Sequence, residues 1–394
     1  MPFDRIVLFK DIFSIPFFSE LKQLHESFLY DRKKAPLHIS RIAEILCSES
    51  SLTVINLLTK SENAFSLLCE KGEDIPVEIR LVAENDIKII LSLLKNNPVN
   101  IEPADKEKTL HPLFNLRFPR VEADEKEILD HLEKIWRNRG CGIFSESHFF
   151  KWNGTEVLPI YSFDKITFSD LAGYDDYKNI IIENTGILLS GNPANNILLA
   201  GSRGCGKSSM IKAAANHFAK DGLKLIEVSK KNILGIEKLF NKLADRGLKF
   251  ILFIDDISFD ENEHSFTEFK SVLEGCASEK PANTAIYATS NRRHMVSEKA
   301  LTGTYDIFDQ DTDNEKISLS DRFGITLLFL PPDQNEFLSI AERIAEKHGI
   351  SFDEEMKRSA VQWALEQKGR SGRSANQFIT HIKGKIKLTS EDKK

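Results

Sequence analysis

Gly201-Ser202-Arg203-Gly204-Cys205-Gly206-Lys207-Ser208 satisfies G-x-x-x-x-G-K-[ST] at every fixed position, and this run constrains the fold more tightly than any other. The apolar stretch Ile197–Ala200 precedes it and predicts a strand, while Ser209–Lys220 behind it predicts a helix. A strand feeding a glycine-rich turn feeding a helix is built to hold phosphate. The glycines let backbone N–H groups turn inward, and the helix N-terminus adds partial positive charge. Lys207 can reach the β- and γ-phosphates of ATP, and the Ser208 hydroxyl can ligate Mg²⁺. The cofactor-binding candidates are therefore Gly201 to Ser208 together with Ser209, which opens the helix.

The surroundings fix the fold class as α/β. Short apolar runs at Ile197–Ala200, Lys224–Val228, Phe250–Ile254, Thr284–Ala288 and Thr326–Leu330 alternate with amphipathic helices. Continuous apolar runs of that length suit a parallel sheet covered on both faces. Phe250–Ile254 ends in Asp255-Asp256, and open parallel sheets bind ligands at the carboxyl ends of their strands. Asp255 is thus the second Mg²⁺ candidate beside Ser208, and Asp256 is the group to orient or deprotonate an attacking water. Upstream, helical spacing dominates: Leu52, Ile55 and Leu58; Ile87, Ile90, Leu91 and Leu94; and Asp124 to Arg139, ending at Gly140. Pro98, Pro103, Pro112 and Pro119 break the stretch between the last two helices. Phe149–Ile160 alternates around Asn153-Gly154, a hairpin signal. After Pro331-Pro332 come three helical segments, the first capped by Asp333 with Glu336, the second by Asp353, with Gly369 and Gly384 read as stops for the last two. The expected division is a mainly helical domain over 1–150, a nucleotide-binding core over 151–332 preceded by the hairpin, and a small helical lid over 333–394.

These motifs together resemble an AAA+ P-loop ATPase over about Ile160 to Lys387. Ile166–Gly173 is similar to the segment that helps form the adenine pocket in that superfamily, which implies Leu171, Ala172 and Gly173 as base contacts. Ala288-Thr289-Ser290-Asn291-Arg292 resembles the sensor 1 strand end and implies Asn291 near the γ-phosphate. Leu319–Gly324 resembles the arginine-finger segment and implies Arg322, supplied by a neighbouring subunit. Gly372-Arg373-Ser374-Ala375-Asn376 resembles the sensor 2 helix start and implies Arg373. The hairpin near Trp152, the Asp-Asp strand end and the Ala-Thr-Ser-Asn-Arg-Arg run also resemble a bacterial AAA+ ATP-binding family of unassigned function. The resemblance implies an Mg²⁺-dependent ATPase that assembles as a homo-oligomer, a ring or a similar AAA+ assembly, and moves its lid against an unidentified protein client. The alternative it leaves open is a nucleotide-gated loader or initiator-like module acting on DNA or a replication partner with little turnover. Two departures matter. Asp256 stands where many members have Glu, which implies slower hydrolysis, and Ile233-Leu234-Gly235 lacks the aromatic of a threading pore loop.

Composition removes other classes. The five cysteines among 394 residues are dispersed without a C-x-x-C pair, which fits a reducing compartment rather than a disulfide framework or zinc site. Asp4, Arg5, Lys10 and Asp11 interrupt the apolar N-terminus, so no signal peptide is expected. The uncharged stretch Asn184–Ser202 contains Gly186, Gly191 and Pro193, so no membrane span is expected either, and the reading is cytoplasmic. Asp309–Asp313 only begins like a calcium loop, with Asn314 at the turn-glycine position and Ser320 where the bidentate Glu should stand. A net charge of -6 excludes a chain that coats polyanions over its whole surface. The last 27 residues nevertheless hold 8 basic and 2 acidic groups, which keeps DNA contact open.

Overall fold

A computed structural model of the chain describes residues 2–48, 53–95, 124–171, 173–257, 269, 273, 280–291, 322–366 and 369–391. The proline-broken stretch 98–119, the acidic run 309–320 and Ala172 lie outside the described residues. The chain divides into two compact units, Met1–Ser147 with Arg246–Leu248, and His148–Asp245 with Lys249–Lys394.

The first unit is helical. Its main helices are Pro16–Tyr30, Ala35–Ser48, Ala64–Lys71, Val77–Lys95 and Glu125–Arg139. The Asp124–Glu127 capping box starts the last of these, and Gly140 ends it with φ 81°. Phe9, Phe17, Phe65, Leu132 and Trp136 are fully buried in its core. Burying a side chain of that size stabilises by about 1.5–3 kcal/mol each. Phe65 meets the Trp136 ring edge-on, and the indole N–H donates to Thr59 O at 2.9 Å. The buried Asp86 carboxylate accepts the backbone N–H groups of Val7, Leu8 and Phe9, tying the N-terminal segment to helix Val77–Lys95.

The second unit is built on one seven-stranded sheet. Its strands are β1 (Phe149–Trp152), β2 (Val157–Pro159), β3 (Ile197–Gly201), β4 (Leu223–Val228), β5 (Lys249–Ile254), β6 (Thr284–Ser290) and β7 (Ile325–Phe329). They lie in the order β2-β1-β4-β5-β6-β3-β7. Among the described residues only the β1–β2 hairpin is antiparallel, and every other pair is parallel. The hairpin is thus part of the sheet rather than an appendage before it. All residues of β3 and β6 are buried, as strands covered on both faces must be.

Three helices follow β7: Gln334–Lys347, Glu354–Glu366 and Gly372–Glu391. Asp333 and Glu336 form the capping box of the first, and Asp353 accepts from Met356 N–H at the second. One expectation fails here. Gly384 does not stop the last helix, which runs on to Glu391. A lone glycine costs a helix only about 1 kcal/mol, and the preceding turns are anchored by Ala375, Phe378 and Ile379 in the core of this helical layer.

Candidate functional site

The register of three neighbouring strands brings the motif residues together. Ala200 of β3 pairs with Ser290 of β6, and Ile254 of β5 pairs with Ala288 of β6. The chain therefore leaves β3 at Gly201, β5 at Asp255 and β6 at Asn291 along the same edge, where open parallel sheets bind ligands. Gly201 has φ 136°, and a Cβ there would collide with the Phe329 carbonyl oxygen of β7. Ser202 N–H donates to that same carbonyl at 3.1 Å. Gly206 is left-handed at φ 87° and caps helix Lys207–His217, whose first hydrogen bond runs from Met210 N–H to Gly206 O. Glycine is the residue that takes these conformations without strain.

Lys207 is buried, and its ammonium donates to Gly201 O at 2.9 Å, Ser202 O at 2.7 Å and Asn291 Oδ1 at 3.1 Å. Burial pushes its pKa below the ordinary lysine value. Ser208 Oγ donates to Asp255 Oδ1 at 2.6 Å, so the two oxygen groups expected to share a cation lie in contact. Thr289 Oγ1 also donates to Asp255 Oδ1, at 2.6 Å, and accepts from Asp256 N–H at 2.8 Å. Asp256 is one of two non-glycine residues with positive φ among the described residues, at 55°. Its Oδ1 is buried without a hydrogen-bond partner. A hard dication bound through one or two carboxylates, a hydroxyl, waters and phosphate oxygens fits this donor set. No cluster of three or more His, Cys, Asp or Glu suited to a metal occurs among the described residues.

The segment ahead of the loop is held beside it. Asn216 Nδ2, on helix Lys207–His217, donates to Asp164 O and Ile166 O at 2.8 Å each. A Cβ on Gly206 would lie 3.9 Å from Leu171 Cδ2, so Leu171 stands next to the phosphate loop. Gly173 is left-handed at φ 73° and exposed. Tyr174 follows with φ 57°, its ring 4.7 Å from that of Phe329 and its hydroxyl donating to Leu330 O at 2.8 Å. Burial pushes the Tyr174 phenol up to about 12. On the other side, Arg373 N–H approaches Gly204 O at 3.4 Å, and Ser371 Oγ lies where a Gly204 Cβ would point.

This edge of the sheet lies within the stretch recognised by a family model described as Protein of unknown function (DUF815), which matches residues 145–386. The chain belongs to the DUF815 family. The DUF815 chain is also 25% identical over 195 residues to the replication factor C large subunit of Methanococcus maripaludis, covering 48% of this chain and 35% of that one. It thus spans about a third of that relative's length. Among solved structures, the Thermotoga maritima RuvB Holliday junction branch migration motor is similar at TM-score 0.41 and 16% identity, over 57% of this chain and 66% of that one. A replication initiator DnaA bound to AMPPCP and single-stranded DNA is similar at TM-score 0.42 and 18% identity, over 59% and 70%.

The residues singled out by sequence do not all meet at one place in this DUF815 fold. Lys207, Ser208, Asp255, Asp256 and Asn291 converge at one edge, with Gly201 to Gly206 and Ser209 beside them. Arg203 and Arg373 are at the same edge with exposed side chains, Arg373 approaching through its backbone. Arg322 is not brought there. It precedes β7, whose Ile325 pairs with Ile197 at the start of β3, so it lies at the opposite end of the strands from the loop that follows β3. Asn216 and Tyr174 carried no signal in the sequence, and Thr289 stood there within the Ala288–Arg292 run without a role of its own. The bridge made by Thr289 exists only because β6 lies beside β5, and strand order is not written in a motif. No helix among the described residues is long and apolar enough to cross a membrane.

Proposed function

We propose that this chain is an AAA+ ATPase that binds ATP with Mg²⁺ at the edge formed by β3, β5 and β6 and hydrolyses it. The observation that carries this reading is the 2.6 Å hydrogen bond from Ser208 Oγ to Asp255 Oδ1, which joins the phosphate loop to the acidic strand end. Mg²⁺ held there would neutralise charge on the phosphate oxygens. Lys207 would exchange its carbonyl partners for β- and γ-phosphate oxygens. Asp256 would orient the attacking water and take its proton, and Asn291 would hold that water or the γ-phosphate by its amide. Leu171, Ala172 and Gly173 would border the base, and Arg373 would carry the nucleotide state to the helices after β7.

The site at the end of β3 lacks its own Arg322, and this supports an assembly in which a neighbouring copy donates that guanidinium. Such a donor stabilises charge developing during phosphoryl transfer and makes turnover depend on assembly. The mechanical output would be motion of the C-terminal helices and of neighbouring subunits against a protein client. The test is steady-state ATP turnover by the full chain, wild type against Lys207→Ala and Asp255→Ala. Both variants are expected to lose at least about 100-fold, and equal rates in all three would sink the proposal.

A second reading has its own supporting observation. Helix Gly372–Glu391 exposes Lys383 and Lys385 in the most basic part of the chain, which suits a nucleotide-gated module on DNA. Tight ATP binding without turnover, together with salt-dependent retention on DNA, would favour that version.

A further inference from the structure

We propose that Thr289 is a positioning residue of the ATPase site, and that its hydroxyl sets the geometry of both acidic residues at the end of β5. The inference rests on the ATPase reading above. Thr289 is the sixth residue of β6 and is 2% exposed. The parallel register that pairs Ile254 with Ala288 places it directly beside Asp255. A threonine hydroxyl has one hydrogen to donate. Here that hydrogen goes to Asp255 Oδ1, while the oxygen accepts Asp256 N–H. One side chain thereby ties a carboxylate to the backbone of the next residue.

Two further hydrogen bonds, one backbone and one from a side-chain hydroxyl, reinforce the tie. Ile257 N–H donates to Thr289 O at 2.7 Å, and Ser290 Oγ donates to Ile257 O at 3.2 Å. Residues 255–257 therefore wrap around the end of β6. Within this wrap Asp256 takes φ 55°, a conformation that costs a non-glycine residue on the order of 1 kcal/mol or more and persists only where the surroundings over-determine it. The hydrogen bond to Thr289 supplies that determination, because it fixes the direction of the Asp256 N–H. The consequence reaches the side chain: Asp256 Oδ1 is buried with no partner, an acceptor held ready for a water or a hydroxyl from outside the chain. Asp255 Oδ1 meanwhile receives two short donors, from Ser208 and Thr289, which fixes the rotation of its carboxylate.

The prediction separates positioning from folding. Thr289→Val keeps the shape of the side chain and removes both hydrogen bonds, whereas Thr289→Ser keeps the hydroxyl. The full-length wild type, both variants and Lys207→Ala as the reference would be assayed for ATP turnover in Mg²⁺, with ATP affinity and site concentration fixed by titration with ATP in the presence of EDTA. Thr289→Val is expected to lower kcat per site by at least about tenfold while KM for ATP changes by less than about threefold, and Thr289→Ser to stay within about threefold of wild type. A structural role would lower the number of binding sites and leave kcat per remaining site unchanged, and that result overturns the inference. Loss of kcat in Thr289→Ser equal to that in Thr289→Val overturns it as well. A wild type whose ATP affinity and turnover match those of Lys207→Ala overturns the ATPase reading and the inference with it. A wild type that turns ATP over no faster than Thr289→Val overturns the inference alone.

Discussion

The two units bury charge in opposite ways. In the helical unit Arg246 is almost enclosed, and every direction of its guanidinium is answered. Nε and Nη2 donate to the two oxygens of Glu70 at 2.8 and 2.6 Å, Nη1 donates to Glu62 at 2.7 Å, and Nη2 also reaches Cys141 O at 3.0 Å. The Glu70 side chain is 0% exposed and that of Arg246 is 7% exposed. Burial, with the Glu70 carboxylate beside it, pushes the Cys141 thiol up, so it stays protonated and inert. Asp86 is likewise buried and fully used by backbone N–H groups. At the edge of β3, β5 and β6, by contrast, a buried carboxylate oxygen of Asp256 has no partner and its backbone is left-handed. A charge network that closes on itself holds a fold together. One that stops short by a single acceptor leaves room for a ligand to finish it.

This contrast can be broken by exchanging losses. The largest effect is expected from Glu70→Ala, which leaves Arg246 buried without its main partner and should cost about 3–5 kcal/mol of stability. Urea denaturation followed by fluorescence in a background where Trp152 and Trp363 are replaced by Phe, leaving Trp136 as the reporter, measures it, and a loss under about 1 kcal/mol would show that the network is not what holds the helical unit. Next comes Asp256→Asn. Asparagine tolerates the left-handed conformation, so the denaturation midpoint should match wild type while ATP turnover falls by about 100-fold. A large fall in stability with turnover per folded molecule intact would erase the distinction between the two regions.

The smallest effect is expected at Lys347, which pairs with Asp170 at 2.5 Å and is 63% exposed. Burial alone would raise the Asp170 pKa, but the bonds from Lys347 and Thr167 outweigh it and hold the carboxyl below its ordinary value. Such a group stabilises the fold above the ordinary carboxylate value, and the contribution fades as pH falls through the depressed one. Lys347→Ala should therefore cost less than about 1 kcal/mol at neutral pH. The difference from wild type should vanish at acid pH and shrink in high salt, as thermal melts across pH would record.

The phosphate loop and Asp255-Asp256 were legible in the sequence because their chemistry is local: fixed spacing, a strand before and a helix or turn after. The core strands were legible as well, since each is a short, mainly apolar stretch beside a turn, and the hairpin strands through their alternation around Asn153-Gly154. Thr289 was not, because its partners lie 33 and 34 residues away and meet it only across the sheet. Arg246 was hidden for the same reason. It stands between Asp245 and Gly247 with no motif around it, and Glu70 lies 176 residues away in sequence. Gly384 misled in the other direction, because a weak local preference for stopping a helix lost to packing already secured one turn earlier.

The helical layer after β7 has a further property. Its buried centre is Ala341, Ala345, Ala360, Ala364 and Ala375, with Phe337, Phe378 and Ile379 the larger members. Alanines let helices approach closely, but each withdraws little apolar surface from water. The sheet, filled with phenylalanine, leucine and isoleucine, gains far more per residue. Amide protons on helix Glu354–Glu366 should therefore trade with solvent through openings that leave β3 and β5 shut, a layer that breathes while the platform beneath it stays closed.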